Sequence, residues 1–263
     1  MGKPKEALPG RPTPLRQGKR AIIVGASSGI GAALAHRLAA EGYRLALLAR
    51  RADLLTGVCA EINATAGETR AISYVHDVTD YSAVPALLEK IVADLGGLDL
   101  FIYNSGISMP SGMKHYEFEK DRYVTEVNYL GALAWLNPVA SMFYNLKTGQ
   151  IVGISSVAGE RGRVGNPSYN ASKAALSCYL ESLRNRLTRR GVHVLTVKPG
   201  YVQTGMVDGV KHPLFVIPAE RAAADICRAI RKHKQEIYTA PIWRLVMFTI
   251  RNIPSVLFRR MTF

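Results

Sequence analysis

Tyr169 and Lys173 lie one helical turn apart in the run Tyr169-Asn170-Ala171-Ser172-Lys173. That spacing puts a phenol and an ammonium on one face of a helix, which the sequence carries on to about Arg190. A free phenol keeps its proton up to a pKa of about 10, too high for ready exchange near neutrality. A nearby ammonium lowers that value by favouring the phenolate, so the pair is a candidate acid/base couple. The same spacing is common on exposed helices with no chemical role. The surrounding elements decide between the two readings.

Those elements alternate. Short apolar runs at Ala21–Val24, Leu45–Leu48, Ile72–Val75, Leu98–Tyr103, Ile151–Ile154, Val192–Val197 and Glu236–Tyr238 read as strands. Between them, stretches such as Ile30–Glu41 and Val84–Leu95 repeat apolar residues at helical spacing. Repeated βαβ units predict an α/β, doubly wound Rossmann-type fold with a seven-stranded parallel sheet flanked by helices. Ligands in such folds bind at the carboxyl ends of the strands.

Directly after the first strand comes Gly25-Ala26-Ser27-Ser28-Gly29-Ile30-Gly31, running into a helix. Glycines permit a tight turn and a close backbone approach, and the unpaired N–H groups at a helix start attract a pyrophosphate. A glycine-rich string alone reads equally as a plain turn, but its place between strand and helix points to a dinucleotide. At the end of the second strand the chain reads Leu48-Ala49-Arg50-Arg51, where an NAD-binding site of this fold usually carries a carboxylate for the ribose 2′-hydroxyl. With no acid there to repel a 2′-phosphate and guanidinium groups to hold one, NADP(H) is the expected cofactor. The simpler alternative is that these arginines solvate a helix start.

The chain has 263 residues, 48% of them apolar, enough for one large core. The expected organisation is a flexible basic lead-in over residues 1–18, a catalytic domain over 19–240 and an amphipathic extension over 241–263. Cys59, Cys178 and Cys227 are odd in number and far apart, which fits a reducing, cytoplasmic setting rather than a disulfide framework. The six histidines form no ligand pattern, so no metal is expected. Of the net charge of +14, most sits at the two ends. Residues 1–20 carry six cations against one carboxylate, and residues 241–263 carry four arginines and no acid. The body lacks nucleic-acid motifs, so no nucleic-acid partner is expected, and basic ends suit an anionic membrane surface. No apolar h-region opens the chain, and no run reaches the ~18 to 20 apolar residues that span a bilayer.

Taken in order, Gly25 to Gly31, Tyr103-Asn104-Ser105-Gly106, Asn128, Ser155-Ser156, Tyr169 to Lys173 and Pro199-Gly200 resemble the short-chain dehydrogenase/reductase family, in its single-domain branch, from Lys19 to Tyr238. Two positions depart from the family pattern. Val24 stands where threonine is frequent, and Tyr103-Asn104-Ser105-Gly106 replaces the usual Asn-Asn-Ala-Gly. The resemblance implies that Tyr169 donates the proton in carbonyl reduction, while Lys173 lowers its pKa and hydrogen-bonds the nicotinamide ribose. Ser156 would polarise the carbonyl oxygen, since the family places its serine thirteen residues before the tyrosine. Ser155 would face elsewhere by strand alternation. Asn128 would hold a water linking Lys173 to solvent, and Pro138 would mark a bend in that helix. For the cofactor, the resemblance implies Asp77 and Val78 at the adenine, Asn104 and Gly106 along its binding edge, and Pro199, Gly200, Val202 and Thr204 at the nicotinamide carboxamide. It also implies a homodimer or homotetramer built through the helices bearing Asn128 and Tyr169.

Between Thr204 and Pro218 lies a short lid-like segment whose glycines suit a flap and whose Met206, Val207, Leu214 and Phe215 suit an apolar substrate. Beyond it, Trp243, Met247, Ile250, Leu257 and Met261 recur at roughly helical spacing, with Pro254 splitting the segment. Two readings stand for this tail. One is a packing helix that walls the pocket or closes a dimer. The other is an interfacial helix with Arg244, Arg251, Arg259 and Arg260 at lipid headgroups. The stretch from Ile253-Pro254 to Phe258-Arg259-Arg260 is similar to the end of reductases acting on a polyprenyl-phosphoryl 2-keto-pentose. The expected function is therefore NADP(H)-dependent reduction of an apolar or lipid-linked carbonyl. The alternatives are a non-catalytic NADP(H)-binding sensor or docking protein and, less well matched to the chain length, a nucleotide-sugar epimerase.

Overall fold

Runs such as Arg20–Val24 and Arg44–Ala49 have no polar face, so both sides of each strand must be covered. The structure, a computed structural model describing residues 18–206 and 213–261, covers them with two layers of helices. In chain order the elements are β1 (Arg20–Val24), α1 (Gly29–Ala40), β2 (Arg44–Ala49), α2 (Ala52–Ala66), β3 (Ala71–Val75), α3 (Val84–Leu95) and β4 (Leu100–Tyr103). Then follow α4 (Phe118–Thr125), α5 (Gly131–Leu146), β5 (Gln150–Ile154), α6 (Pro167–Leu187), β6 (His193–Pro199), β7 (Val202–Gln203) and β8 (Ile217–Pro218). The chain closes with α7 (Ala219–Arg231), β9 (Glu236–Thr239), α8 (Ile242–Asn252) and α9 (Ser255–Phe258).

The main sheet is parallel and seven-stranded, in the order β3-β2-β1-β4-β5-β6-β9. This is the doubly wound architecture expected from the sequence. Alternate residues of one strand serve opposite cores. Ile22 and Val24 of β1 join α3, α5 and α6 residues such as Leu88, Trp135 and Leu180, whereas Ala21 and Ile23 join Leu34 of α1, Leu55 of α2 and Ile226 of α7. The strand order reverses between β1 and β4, and there Val24 lies level with both Leu48 and Tyr103. That register places Gly25 and Asn104 side by side at the carboxyl edge, in the crevice where such folds bind ligands.

Several expectations shift in detail. The fourth strand starts at Leu100 rather than Leu98, because Asp99 is turned to receive the Arg20 guanidinium at 2.7 Å. Pro138 lies inside α5 without ending it, and the irregularity upstream is a π-helical turn at Glu126–Leu130 that holds Asn128. The lead-in lies outside the described residues except for its last position, as do 207–212 of the lid segment, Val207 among them.

Candidate functional site

The turn after β1 is shaped by backbone contacts that exclude side chains. Gly25 has φ +91°, and a Cβ there would lie 2.6 Å from the Ser105 amide nitrogen. At Gly31 a Cβ would lie 2.0 Å from the Gly25 carbonyl oxygen, so α1 can pack this close only through glycine. Asn104 Nδ2 donates to that same carbonyl at 2.7 Å, tying the end of β4 to the turn. Ser28 caps α1 without a side-chain hydrogen bond to the N–H groups of the helix. The N–H groups of Gly29, Ile30 and Gly31, which precede the first intrahelical bond, are left for a ligand. Thr204, arriving from beyond β7, stands over Gly29, where a Cβ would meet its methyl at 2.8 Å.

The two arginines after β2 separate. Arg51 Nη2 donates to Ser27 Oγ at 3.0 Å and to Ser28 Oγ at 2.6 Å, beside the glycine turn. Arg50 points the other way, to the Tyr123 hydroxyl and to Asp77 Oδ2 at 3.5 Å. Burial works against charge on Asp77, but hydrogen bonds from Thr79 and the Arg50 guanidinium outweigh it and hold the carboxyl below its usual range. Val78 turns its side chain into the core with that of Tyr103, so it offers the edge its backbone.

Ser155 and Ser156 leave β5 in opposite directions. Ser155 is buried, with its hydroxyl donating to the Lys173 carbonyl at 2.9 Å and lying 2.7 Å from Ser177 Oγ. Ser156 accepts from the Ala158 amide at 3.1 Å and lies near enough to the Tyr169 phenol to pull its pKa down. Lys173 is buried; its Nζ donates to the Ile154 carbonyl at 2.9 Å and lies 5.9 Å from the centre of the Tyr169 ring. Burial drives its pKa down to about 8. The expected lowering of the phenol is not what these surroundings produce. Burial raises the Tyr169 pKa, while the Ser156 hydroxyl and the Arg163 charge pull against that rise. The reason is the burial of the phenol itself, which outweighs the groups that pull its pKa down.

Asn128 is fully buried and its amide is committed. Oδ1 accepts from Ile107 N at 2.7 Å, and Nδ2 donates to Ile107 O at 2.9 Å and Ser172 Oγ at 3.0 Å. A water held at this residue would therefore meet its main chain. Gly106 completes the contact: a Cβ there would lie 3.1 Å from Lys173 Nζ and 3.2 Å from Asn128 Oδ1. Tyr103, a departure from the family pattern, is fully buried and donates to the Val127 carbonyl in the π turn at 2.8 Å. The substituted position thus supports the turn that carries Asn128.

Behind Ser156 the chain is fastened to the C-terminal tail. Arg161 Nη1 donates to the Ile250 and Arg251 carbonyls at 2.6 and 2.9 Å, and its guanidinium stacks 3.9 Å from the Phe258 ring centre. Glu160, its side chain only 5% exposed, receives Lys198 Nζ at 2.8 Å and the Tyr238 hydroxyl. Trp243 lies against Gly200 so closely that a Cβ there would be 1.9 Å from its indole nitrogen, and it meets Tyr201 and Phe215 edge-on. The structure thus gathers Asn128, Ser156, Tyr169, Lys173 and Gly106 in one cluster, with Pro199-Gly200 at the back. Val202 turns its side chain under α7 instead, beside Ala219 and Ala222. Sequence reasoning missed Ser172, Ile107, Glu160, Arg161 and the Trp243–Gly200 contact, which join positions with no shared local pattern. An open groove of about 660 Å3 runs along the outside of α1 and touches the site at Gly29 and Thr204.

A sequence profile described as short chain dehydrogenase matches residues 19–214. An uncharacterised oxidoreductase of Myxococcus xanthus strain DK1622 is 33% identical over 243 residues, covering 91% of this chain and 94% of that protein. A dehydrogenase/reductase SDR family protein 7-like of Anopheles gambiae is 30% identical over 257 residues, covering 92% and 81%. The ketoacyl reductase HetN of a Nostoc species is 32% identical over 190 residues, covering 72% and 66%. Among solved structures, a short-chain type dehydrogenase/reductase from Mycobacterium marinum superposes with TM-score 0.78 at 27% identity, covering 86% of this chain and 95% of that one. A Burkholderia phymatum relative solved with NAD gives TM-score 0.80 at 23% identity, covering 90% and 96%.

Proposed function

The chain belongs to the short-chain dehydrogenase/reductase family, and on that premise we propose that it is an NADP(H)-dependent oxidoreductase that reduces an apolar or lipid-linked ketone to a secondary alcohol. The observation that carries this reading is the convergence of Ser156, Tyr169 and Lys173, with the ammonium 5.9 Å from the phenol ring and Ser156 near enough to act on the phenol's proton affinity. Gly25 and Gly31 leave the cradle that a pyrophosphate needs, and the start of α1 faces it. When bound there, the nicotinamide cofactor supplies the hydride. Ser156 Oγ and Tyr169 Oη hold the carbonyl oxygen, Tyr169 gives it a proton as charge develops, and Lys173 restores that proton. A pKa of about 8 suits Lys173 to exchange protons near neutrality.

The preference for NADP(H) rests on Arg51, which with Ser27 and Ser28 forms a ready cluster of donors for a 2′-phosphate. Arg50, over Asp77, guards the adenine edge. The apolar substrate rests on the mouth: Met206 Sδ lies 3.9 Å from the Tyr169 hydroxyl, and Met206, Leu214 and Phe215 are all exposed. The keto group named for the Nostoc relative is of the same chemical class. The test is NADPH and NADH oxidation against ketones from small sugars to long-chain and polyprenyl-linked carbonyls, with Arg51→Ala alongside. Turnover is expected with NADPH on the apolar ketones. Loss of a charge-assisted contact worth about 2 kcal/mol should weaken NADPH roughly thirtyfold and leave NADH nearly unchanged. Turnover of none of the ketones, or equal weakening of both nucleotides, contradicts the reading.

A further inference from the structure

The helix α8 is apolar on two sides. Its inner stripe, Trp243 and Met247 with Ile250, packs on Val157 and Tyr201. Its outer side carries Ile242, Leu245 and Phe248, and α9 adds Val256 and Leu257; Leu245 is 64% and Phe248 60% exposed. Exposed large apolar groups clustered on one surface call for something that covers them. Arg244, Arg251, Arg259 and Arg260 lie in the same stretch of chain, all exposed, and residues 241–263 hold no acidic side chain. Arg251 stands 3.8 Å from Glu160, while Arg244, Arg259 and Arg260 have no carboxylate partner among the described residues.

We propose that this outer face docks on the surface of an anionic phospholipid bilayer, with the apolar side chains at the acyl boundary and the arginines at the phosphates. Long arginine stems let their heads stay at the phosphates while the neighbouring side chains sink deeper. The face lies in the plane of the membrane. Eleven residues of α8 extend roughly 16 Å, half the hydrocarbon thickness of about 30 Å, and no helix among the described residues is long and apolar enough to cross. A second copy of this chain is a poorer occupant, since two-fold pairing would set arginines against arginines with no acid between them. Docking would hold Trp243, and with it Gly200 and Phe215 at the site mouth, close to the lipid. The binding itself does not depend on the catalytic reading, because it needs neither nucleotide nor turnover.

The experiment is flotation of the full chain, without nucleotide, on vesicles of phosphatidylcholine alone or with about 30 mol% phosphatidylglycerol. Binding is expected on the anionic vesicles and should fall as salt rises. Leu245→Glu with Phe248→Glu should lower the partition coefficient about tenfold or more, and Arg244→Glu about tenfold. Thermal melts check that the variants fold; if the glutamates fail to fold, Leu245→Ser with Phe248→Ser is read in their place. Absence of wild-type binding overturns the proposal. So does full binding by the double variant, since the cations alone, including those of residues 1–17, would then suffice. A double variant that loses oligomeric mass in sedimentation while neither protein floats would assign the face to a second copy instead.

Discussion

At the front of the site, between β1 and α1, backbone decides what fits: Gly25 and Gly31 lie so close to Ser105 and to each other that no side chain can enter. At the back, between Ser156 and α8, side chains decide: Arg161 reaches two carbonyls at the end of α8, and Trp243 fills the space over Gly200. The two regions meet at the same reacting groups but tolerate change differently. A backbone-defined cradle suits a ligand shared by many enzymes, since it recognises a phosphate by N–H direction alone. A latch of side chains can be re-cut for each substrate without disturbing the cradle.

Substitution separates the two regions. Gly31→Val should have the largest effect, because its Cβ alone would lie 2.0 Å from the Gly25 carbonyl. We expect nucleotide binding to vanish in a fluorescence titration and overpacking to cost about 3 kcal/mol or more in denaturant unfolding. Retained binding would show the turn to be pliable and erase the contrast. Trp243→Ala should cost about 3 kcal/mol in the same unfolding experiment, by emptying the small core it shares with Val157 and Met247. Nucleotide affinity in that variant should change less than about tenfold, because the cradle does not use this side chain. A collapse of nucleotide binding would mean that the back holds the front in place.

Legibility in the sequence follows the same division. The central strands are readable because a strand buried on both faces is an unbroken apolar run, as in β1 and β2, whereas the edge strands β3 and β9 are only partly covered. Strands β7 and β8, of two residues each, carry no period to read. The glycine turn and the Tyr169–Lys173 pair were legible because their spacing is local. Arg161 and Ile250 are separated by 89 residues, and nothing in either neighbourhood announces the other. The tail shows both cases: its inner stripe of Trp243, Met247 and Ile250 follows the expected spacing, while Ile242, Leu245 and Phe248 on the far side did not stand out from it. Proton affinities were least legible, because Tyr169 and Lys173 answer to burial that the tertiary structure supplies.

The central claim is that Tyr169 moves the proton at a carbonyl held beside a bound nicotinamide, and Tyr169→Phe tests it most directly. The measurement is single-turnover oxidation of NADPH by a competent ketone, paired with the NADPH dissociation constant of the same preparation. Removing the hydroxyl deletes the proton donor and leaves the cradle intact, so affinity should stay within about threefold while the rate falls about a thousandfold. A variant that binds NADPH equally well and reduces the ketone at the wild-type rate would contradict the account.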